Sequence, residues 1–515
     1  MCTRLLSSLS SVLSSPSLPF SLFSLFILLV FVLHLWRRVI SKLHFPGLIV
    51  TEPTLVRGPG VWRLQFGPWL WEEGHLTCFS VRCRLGPLFS MQLGPHFTLV
   101  VNSYDLAKEV LLTRGRDFAG RPKMVTTELL TRGGKDIAFC DYSALWKSHR
   151  RLVHSALSLF GEGGRLKYIF HGCVDDLVAE LGSVGSRAFD PSAAVTRAVT
   201  NVVCTLVFSA TYRRDDAELK EVIDYNNGIV ETIARGGLVD LFPWLQRFPS
   251  RSLTKLKQCI TVRDRLLQRK LDQHKASLSE GDGGVDPRDL LEALLRGQEG
   301  QKSEVISDDH VLMTAAETFG AGVETTSTTL LWIIAYMLHH PEVQARAQRE
   351  LEEQVGLERP VRLSDRTRLP YVEAVIQEGL RIRPRQPGPH SPHGHPVQPG
   401  TRVLVNMWAL HHNPTDWPKP DLFNPRFLDG RGGRVSPSCF LPFGAGPRVC
   451  VGESLARLEL FLFLSSLLQR ISFSLPPAGP VPDLRGRLGV VLQPPPYLVV
   501  ATPGLNRTKP GLKQD

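Results

Sequence analysis

Ten residues near the C-terminal end limit what this chain can become more than any other stretch. They read Phe443-Gly444-Ala445-Gly446-Pro447-Arg448-Val449-Cys450-Val451-Gly452 and run straight into the helix-prone segment Glu453 to Glu459. The glycines permit positive φ and let backbone approach another surface closely. A cysteine at the mouth of a helix sits in a positive field that favours the thiolate. Neighbouring backbone N–H groups can hydrogen-bond the sulfur and tune a metal that it binds. Phe443 can screen that sulfur from water, and Arg448 can reach an anionic group. The plainer alternative is a free structural cysteine, buried and inert.

A screened, single axial thiolate is what a haem iron needs when electron density must be pushed toward O–O cleavage. Phe443, Gly446, Arg448 and Cys450 together resemble the haem-binding signature of the cytochrome P-450 (haem-thiolate) monooxygenases. The resemblance implies a mainly α fold with small β-sheets. It also implies haem b as cofactor, Cys450 as the metal ligand, and Phe443 and Arg448 in the haem site.

Other motifs fit the same site. Gly86 to Gly94 and Phe97 to Val101 read as two strands joined by a turn, and Ser103 to Arg114 has helical spacing of leucine and valine. Asp117 to Pro122 then turns the chain; an arginine in such a turn is usually solvated, but the resemblance gives Arg121 a haem propionate. Trp146 and Arg150 stand i, i+4 on one helical face, where an indole N–H and a guanidinium suit a carboxylate. Beside Arg448 and Cys450 they read as a propionate clamp.

Val311 to His339 is a long apolar helix carrying Gly320-Ala321-Gly322 and Glu324-Thr325-Thr326. Mid-helix glycines cost about 1 kcal/mol each against alanine and need a reason. One reason is a packing notch for a neighbouring helix. Another is a groove at Ala321 for O2 over the haem, with the helix locally opened. In that second reading Glu324 and Thr325 are the catalytic acid–alcohol pair that relays protons, as the family's oxygen-binding helix does. Glu378 and Arg381 form an ExxR on one helix face. In the family this is a buried structural pair joined by a later arginine, best matched here by Arg426.

Nine cysteines, an odd number with no CxxC, argue for a reducing compartment and against a disulfide framework or zinc site. A net charge of +11 without basic runs or nucleic-acid motifs points to a membrane surface or an acidic protein partner, not nucleic acid. Phe20 to Trp36 is an uncharged apolar run followed by Arg37, Arg38 and Lys42. It is long enough to cross a bilayer, and the charge bias leaves the chain beyond residue 36 in the cytosol. The run is long for a cleaved signal peptide, and its charges lie on the wrong side. The expected organisation is therefore a signal anchor and basic segment over residues 1–45, in the endoplasmic reticulum, and one catalytic domain over 46–515. The sequon at Asn506 would face the cytosol unmodified.

From about Gly86 to Val500 the chain most resembles the steroid 17α-hydroxylase/17,20-lyase family. Asp224 to Val230, Leu238 to Leu245, Phe319 to Thr326, Asn406 to Asn413 and Phe440 to Cys450 carry that match. It implies C17 hydroxylation of C21 steroids, progesterone or pregnenolone, with O2. Electrons would come from NADPH–cytochrome P-450 reductase, docked through basic residues such as Lys147, Arg151 and Arg457. It places Asn226 and Arg263 at the steroid A-ring oxygen and Val490 and Val491 on the apolar wall. The chain departs from the family pattern in four places. No Pro-Pro-Gly-Pro hinge follows the anchor, and Phe45 to Arg82 matches poorly. Pro425 meets Arg426 without the usual glutamate. The segment between Pro384 and Gly400 is short and polar. Gln377 replaces an arginine that serves the cytochrome b5 contact, although its companion Arg366 is kept, so weak or absent lyase activity is expected. The alternatives are a 21-hydroxylase or broad-specificity monooxygenase, and a haem-binding protein without turnover.

Overall fold

The structure is a computed structural model. It describes residues 63–65, 86–93, 95–160, 164–234, 238–280, 286–299, 306–383, 397–425, 437–477, 479–487 and 489–504. The expected anchor Phe20 to Trp36, the 45/46 boundary, the poorly matching Phe45 to Arg82, the segment 384–396, Arg426 and the sequon at Asn506 lie outside the described residues, except for a short strand at 63–65. Among the described residues, no helix is long and apolar enough to cross a membrane.

The fold is mainly helical. Its longer helices are α1 (Ala144–Ser158), α2 (Gly164–Ser183), α3 (Ser192–Phe208), α4 (Ala217–Ala234), α5 (Arg251–Ser279), α6 (Leu290–Glu299), α7 (Asp308–His339), α8 (Pro341–Gln354), α9 (Pro370–Ile382) and α10 (Glu453–Arg470). Strands β1 (Arg63–Gln65), β2 (Leu88–Leu93), β3 (His96–Val101) and β4 (Arg402–Val405) form one sheet in that order. β2 and β3 pair antiparallel, Leu88 opposite Val101, while β3 and β4 pair parallel, Val101 opposite Val405. β5 (Ile471–Ser474) and β6 (Val500–Pro503) form a second, antiparallel pair.

α7 is the central helix. Ser307 and His310 form a capping box at its start, and Asp308 and Asp309 in the first turn suit the positive helix end. Its later half, Leu330 to Leu338, is buried all round, as a helix apolar on every face must be. α3 packs along one side, and α10 along another. α10 is likewise buried from Leu458 to Gln469, and its Phe463 stands edge-on to Phe170 of α2, with centroids 5.6 Å apart. A separate apolar cluster under the sheet joins Leu88, Leu99, Val101, Val403 and Val405 to Leu111, Met407 and Leu410. Leu441 and Ala445 of the cysteine loop pack against it.

The helix expected over Ser103 to Arg114 is α-helical only over Tyr104–Lys108, then widens into a π turn over Glu109–Thr113, where the Arg114 N–H reaches the Glu109 carbonyl at 2.8 Å. The widened turn brings the Leu111 carbonyl against Gly446, where an added Cβ would lie 1.7 Å from that oxygen. Gly446 also has φ +72°. Gly446→Ala is therefore expected to destabilise by more than about 1 kcal/mol, read as a lower thermal midpoint, because both clash and left-handed backbone oppose the methyl.

Candidate active site

Glu378 and Arg381 of α9 are 0% and 2% exposed and paired through two bonds of 2.7 and 2.8 Å. Backbone groups complete the bonding of the pair. Arg381 donates to His411 O at 2.8 Å and Leu422 O at 3.2 Å, and Glu378 accepts the Asn424 N–H at 2.9 Å. Burial pushes His411 down to about 3, so its ring is neutral and Nε2 accepts the Leu441 N–H at 2.9 Å. Leu441 O in turn accepts the Gly444 N–H at 3.0 Å. The ion pair thus braces the cysteine loop through a short chain of hydrogen bonds.

That loop curls so that the Cys450 N–H donates to Phe443 O at 3.0 Å, and Cys450 precedes Glu453, the first residue of α10. Phe443 is buried beneath the Arg457 guanidinium, 4.8 Å from the ring centroid. Cys450 and Phe443 line a cavity of ≈ 300 Å³ whose lining also includes Arg121, Arg150, Arg448, Ala321 and Thr325. Site residues expected from separate stretches of the sequence therefore do come together.

The three guanidiniums share one wall. Arg448 donates to the carbonyls of Ala119, Ile137 and Cys140 at 2.8, 2.9 and 2.8 Å and lies over the Trp146 ring. Arg121 donates to Ala138 O at 2.9 Å, and Arg150 donates to Val449 O. Trp146 does not offer its indole N–H to the cavity: it donates to Ile137 O at 2.9 Å. Its role in this structure is to carry the arginines on its face. Burial pushes Arg121 down to about 10. Burial, then repulsion from Arg121 and Arg150, pushes Arg448 to about 9. Crowded, desolvated cations are relieved by an anion placed among them. A soft sulfur and a cationic wall in one cavity fit a haem with its iron on Cys450 and its propionates at the arginines.

α7 runs through Gly320 to Thr326 as unbroken helix, so the expected local opening is not seen. The Thr325 hydroxyl donates back to Ala321 O at 2.7 Å, which satisfies it inside the helix. Glu324 is 8% exposed and is not in the cavity lining; its carboxylate accepts from Gln493 Nε2 at 2.6 Å.

The expected substrate contacts lie apart from this cavity. Asn226 of α4 is buried against α7, its Oδ1 3.3 Å from where a Gly320 Cβ would stand. Arg263 of α5 is buried but bonded to Asp264 at 2.8 Å and touches Met313 Sδ at 3.6 Å. Val490 is 46% exposed rather than on an apolar wall, because it sits at the tip of the turn between Arg487 and Gln493. Val491, 8% exposed, lines a second cavity of ≈ 20 Å³ with Thr325 and Trp332.

Sequence reasoning missed three acids. Glu317 of α7 lines the cavity and accepts the Ile137 N–H at 3.0 Å; burial and the neighbouring Asp136 carboxylate raise its pKa. Asp136 is raised by burial as well. Glu459 of α10 also lines the cavity, accepts from the Thr326 hydroxyl at 2.9 Å, and is pushed by burial up to about 8. Its one sequence signal is an acid inside the apolar run Leu458 to Leu464. A raised carboxyl favours folding below the unfolded pKa, and that stability is lost as pH rises to about 8. Glu459→Gln should therefore gain thermal stability over the parent as pH rises from 5 to about 8, then hold that gain above it, as thermal melts across pH would read.

The cytochrome P-450 family model matches residues 55–501. A medaka (Oryzias latipes) protein named steroid 17-alpha-hydroxylase/17,20 lyase is 49% identical over 83% of this chain and 87% of its own. A chicken (Gallus gallus) protein of the same name is 49% identical over 81% and 85%. A solved zebrafish cytochrome P-450 structure with progesterone matches with TM-score 0.76 and 54% identity, covering 84% of this chain and 99% of that one. The chain belongs to the cytochrome P-450 family.

Proposed function

We propose that this cytochrome P-450 is a membrane-anchored steroid monooxygenase that hydroxylates carbon 17 of C21 steroids such as progesterone and pregnenolone. The observation that carries the chemistry is one cavity lined by the Cys450 thiol, three half-buried arginines and Thr325. The substrate class is supported by the likeness to the steroid 17-alpha-hydroxylases and to the progesterone-bound zebrafish structure.

When bound, haem b supplies the iron chemistry that uses O2, as cofactors do the hard chemistry on a protein scaffold. The residues do the rest. Cys450 would offer its sulfur to the iron, with Phe443 screening it. Arg121, Arg150 and Arg448 would neutralise the propionates. Ala321, the smallest chiral side chain, leaves room on α7. The Thr325 hydroxyl holds a proton at the cavity wall, and Glu324 is the acid that replenishes it. The balance is steroid R–H, O2, NADPH and H⁺ giving R–OH, water and NADP⁺. Electrons come from NADPH through its flavoprotein reductase, which the basic residues Lys147, Arg151 and Arg457 would help to dock.

Residues 1–45 would be the anchor and 46–515 the catalytic domain, on the cytosolic face of the endoplasmic reticulum. Leu238, Phe242, Trp244 and Phe248 support attachment: they are 53, 36, 58 and 57% exposed within or beside two adjacent short helices. Apolar and aromatic side chains gathered at a surface suit a lipid interface.

Reconstitution with reductase, NADPH and progesterone tests the reading. The 17α-hydroxylated product is expected as the main one. A 21-hydroxylated product, or haem binding without steroid-dependent NADPH use, would overturn it. Gln377 and the engagement of Arg366 with Glu373, through bonds of 2.8 and 2.9 Å, both support a weak response to cytochrome b5. Little C19 product is accordingly expected on adding that protein; abundant C19 steroid would contradict this part alone.

A further inference from the structure

Thr325 lines the cavity, whereas its neighbour Glu324 leans the other way and is held there across 169 residues of chain. The holder is Gln493, whose Nε2 lies 2.6 Å from Glu324 Oε1. Gln493 has little freedom of its own. Its N–H donates to Arg487 O at 2.9 Å, and its carbonyl accepts the Arg487 N–H at 2.7 Å. The adjacent Leu492 carbonyl accepts the Trp332 indole N–H of α7 at 2.7 Å. Pro494, Pro495 and Pro496 follow at once and restrict the backbone further. Val491 and Leu492 close the small cavity against Thr325, Thr329 and Trp332.

We propose that Gln493 is a positioning residue for the acid of the proton relay. The turn from Arg487 to Gln493, pinned to α7 at Trp332 and Glu324, sets where the Glu324 carboxylate points and so whether it can serve Thr325. A glutamate side chain turns about three bonds, and a fixed amide donor selects one orientation from many. Gln493 does not line the main cavity, so its effect on the relay would be exerted through Glu324. The inference rests on the monooxygenase reading above.

The consequence is a change in how oxygen is spent. Productive turnover consumes NADPH, H⁺, O2 and R–H and yields R–OH, water and NADP⁺. When proton delivery is misdirected, NADPH, H⁺ and O2 yield NADP⁺ and hydrogen peroxide. Both routes use one NADPH, so peroxide released per NADPH oxidised reports the fraction misdirected.

The test uses the full-length holoenzyme with reductase. Gln493→Leu should raise peroxide per NADPH by about tenfold, the scale set by losing one hydrogen bond to a charged group. The reduced carbon-monoxide spectrum should stay that of the parent. In a Glu324→Leu background the same substitution should add nothing further. An unchanged peroxide ratio, or an equal rise in both backgrounds, overturns the proposal. Hydrogen exchange of the Arg487 and Gln493 amides provides a readout apart from turnover. It should quicken in Glu324→Leu and stay slow in Glu324→Gln, which keeps an oxygen for the amide to meet. Exchange unchanged in Glu324→Leu overturns the proposal even if the protein oxidises no NADPH, the result that would instead sink the monooxygenase reading.

Discussion

Cys450→Ser is expected to yield a folded protein that loses the thiolate signature in the reduced carbon-monoxide spectrum and hydroxylates steroid at background level. The loss should exceed about 100-fold, since substitution of mere outer partners of a metal already costs 10–100-fold. Folding should survive. Cys450 is only partly buried, its N–H bond to Phe443 O is made by backbone, and serine has nearly the same shape. A hydroxyl is a harder and far less acidic donor than a thiol, so it cannot supply the same electron push to iron. The measurements are the spectrum and product formation on matched amounts of folded protein. Hydroxylation near the parent rate would remove the basis for placing the iron at this loop.

Arg381→Leu should do damage of another kind. It strands the Glu378 carboxylate, 0% exposed, without its bidentate partner, and breaking a buried pair by removing one member costs about 3–5 kcal/mol. A typical domain is stable by only about 5–15 kcal/mol, so much of the variant should be unfolded or insoluble. The surviving fraction should bind haem poorly, because Arg381 also holds His411 O, and His411 Nε2 holds the Leu441 N–H of the cysteine loop. Arg381→Lys should rescue little. One ammonium cannot reproduce two parallel bonds to the carboxylate and two more to carbonyls. Denaturant unfolding and haem content per chain check this, and a variant as stable as the parent would contradict it.

Steric rules and helical period explain why so much of the site could be anticipated. Gly446 has to be glycine wherever a carbonyl comes that close. Trp146 and Arg150 share a face at any i, i+4 spacing. Glu378 and Arg381 meet at i, i+3 whatever surrounds them. Side-chain partners were less legible. Trp146 was expected to reach toward the cavity and instead bonds Ile137 O; Val490 was expected on an apolar wall and is half exposed at a turn tip. Both outcomes depend on loops whose course no local pattern dictates.

What residue order alone determined is the set of short-range facts: the thiol before a helix, the acid–alcohol pair on an apolar helix, the paired charges of α9. What only the tertiary structure decided is which distant group each of these carboxyls meets. Glu317 meets the Ile137 amide across 180 residues, Thr326 meets Glu459 across 133, and Glu324 meets Gln493 across 169. Propensity and periodicity act over a few residues along the chain. Desolvation and Coulomb forces act through space, and they take effect only once folding has brought those groups together in a medium of low dielectric constant.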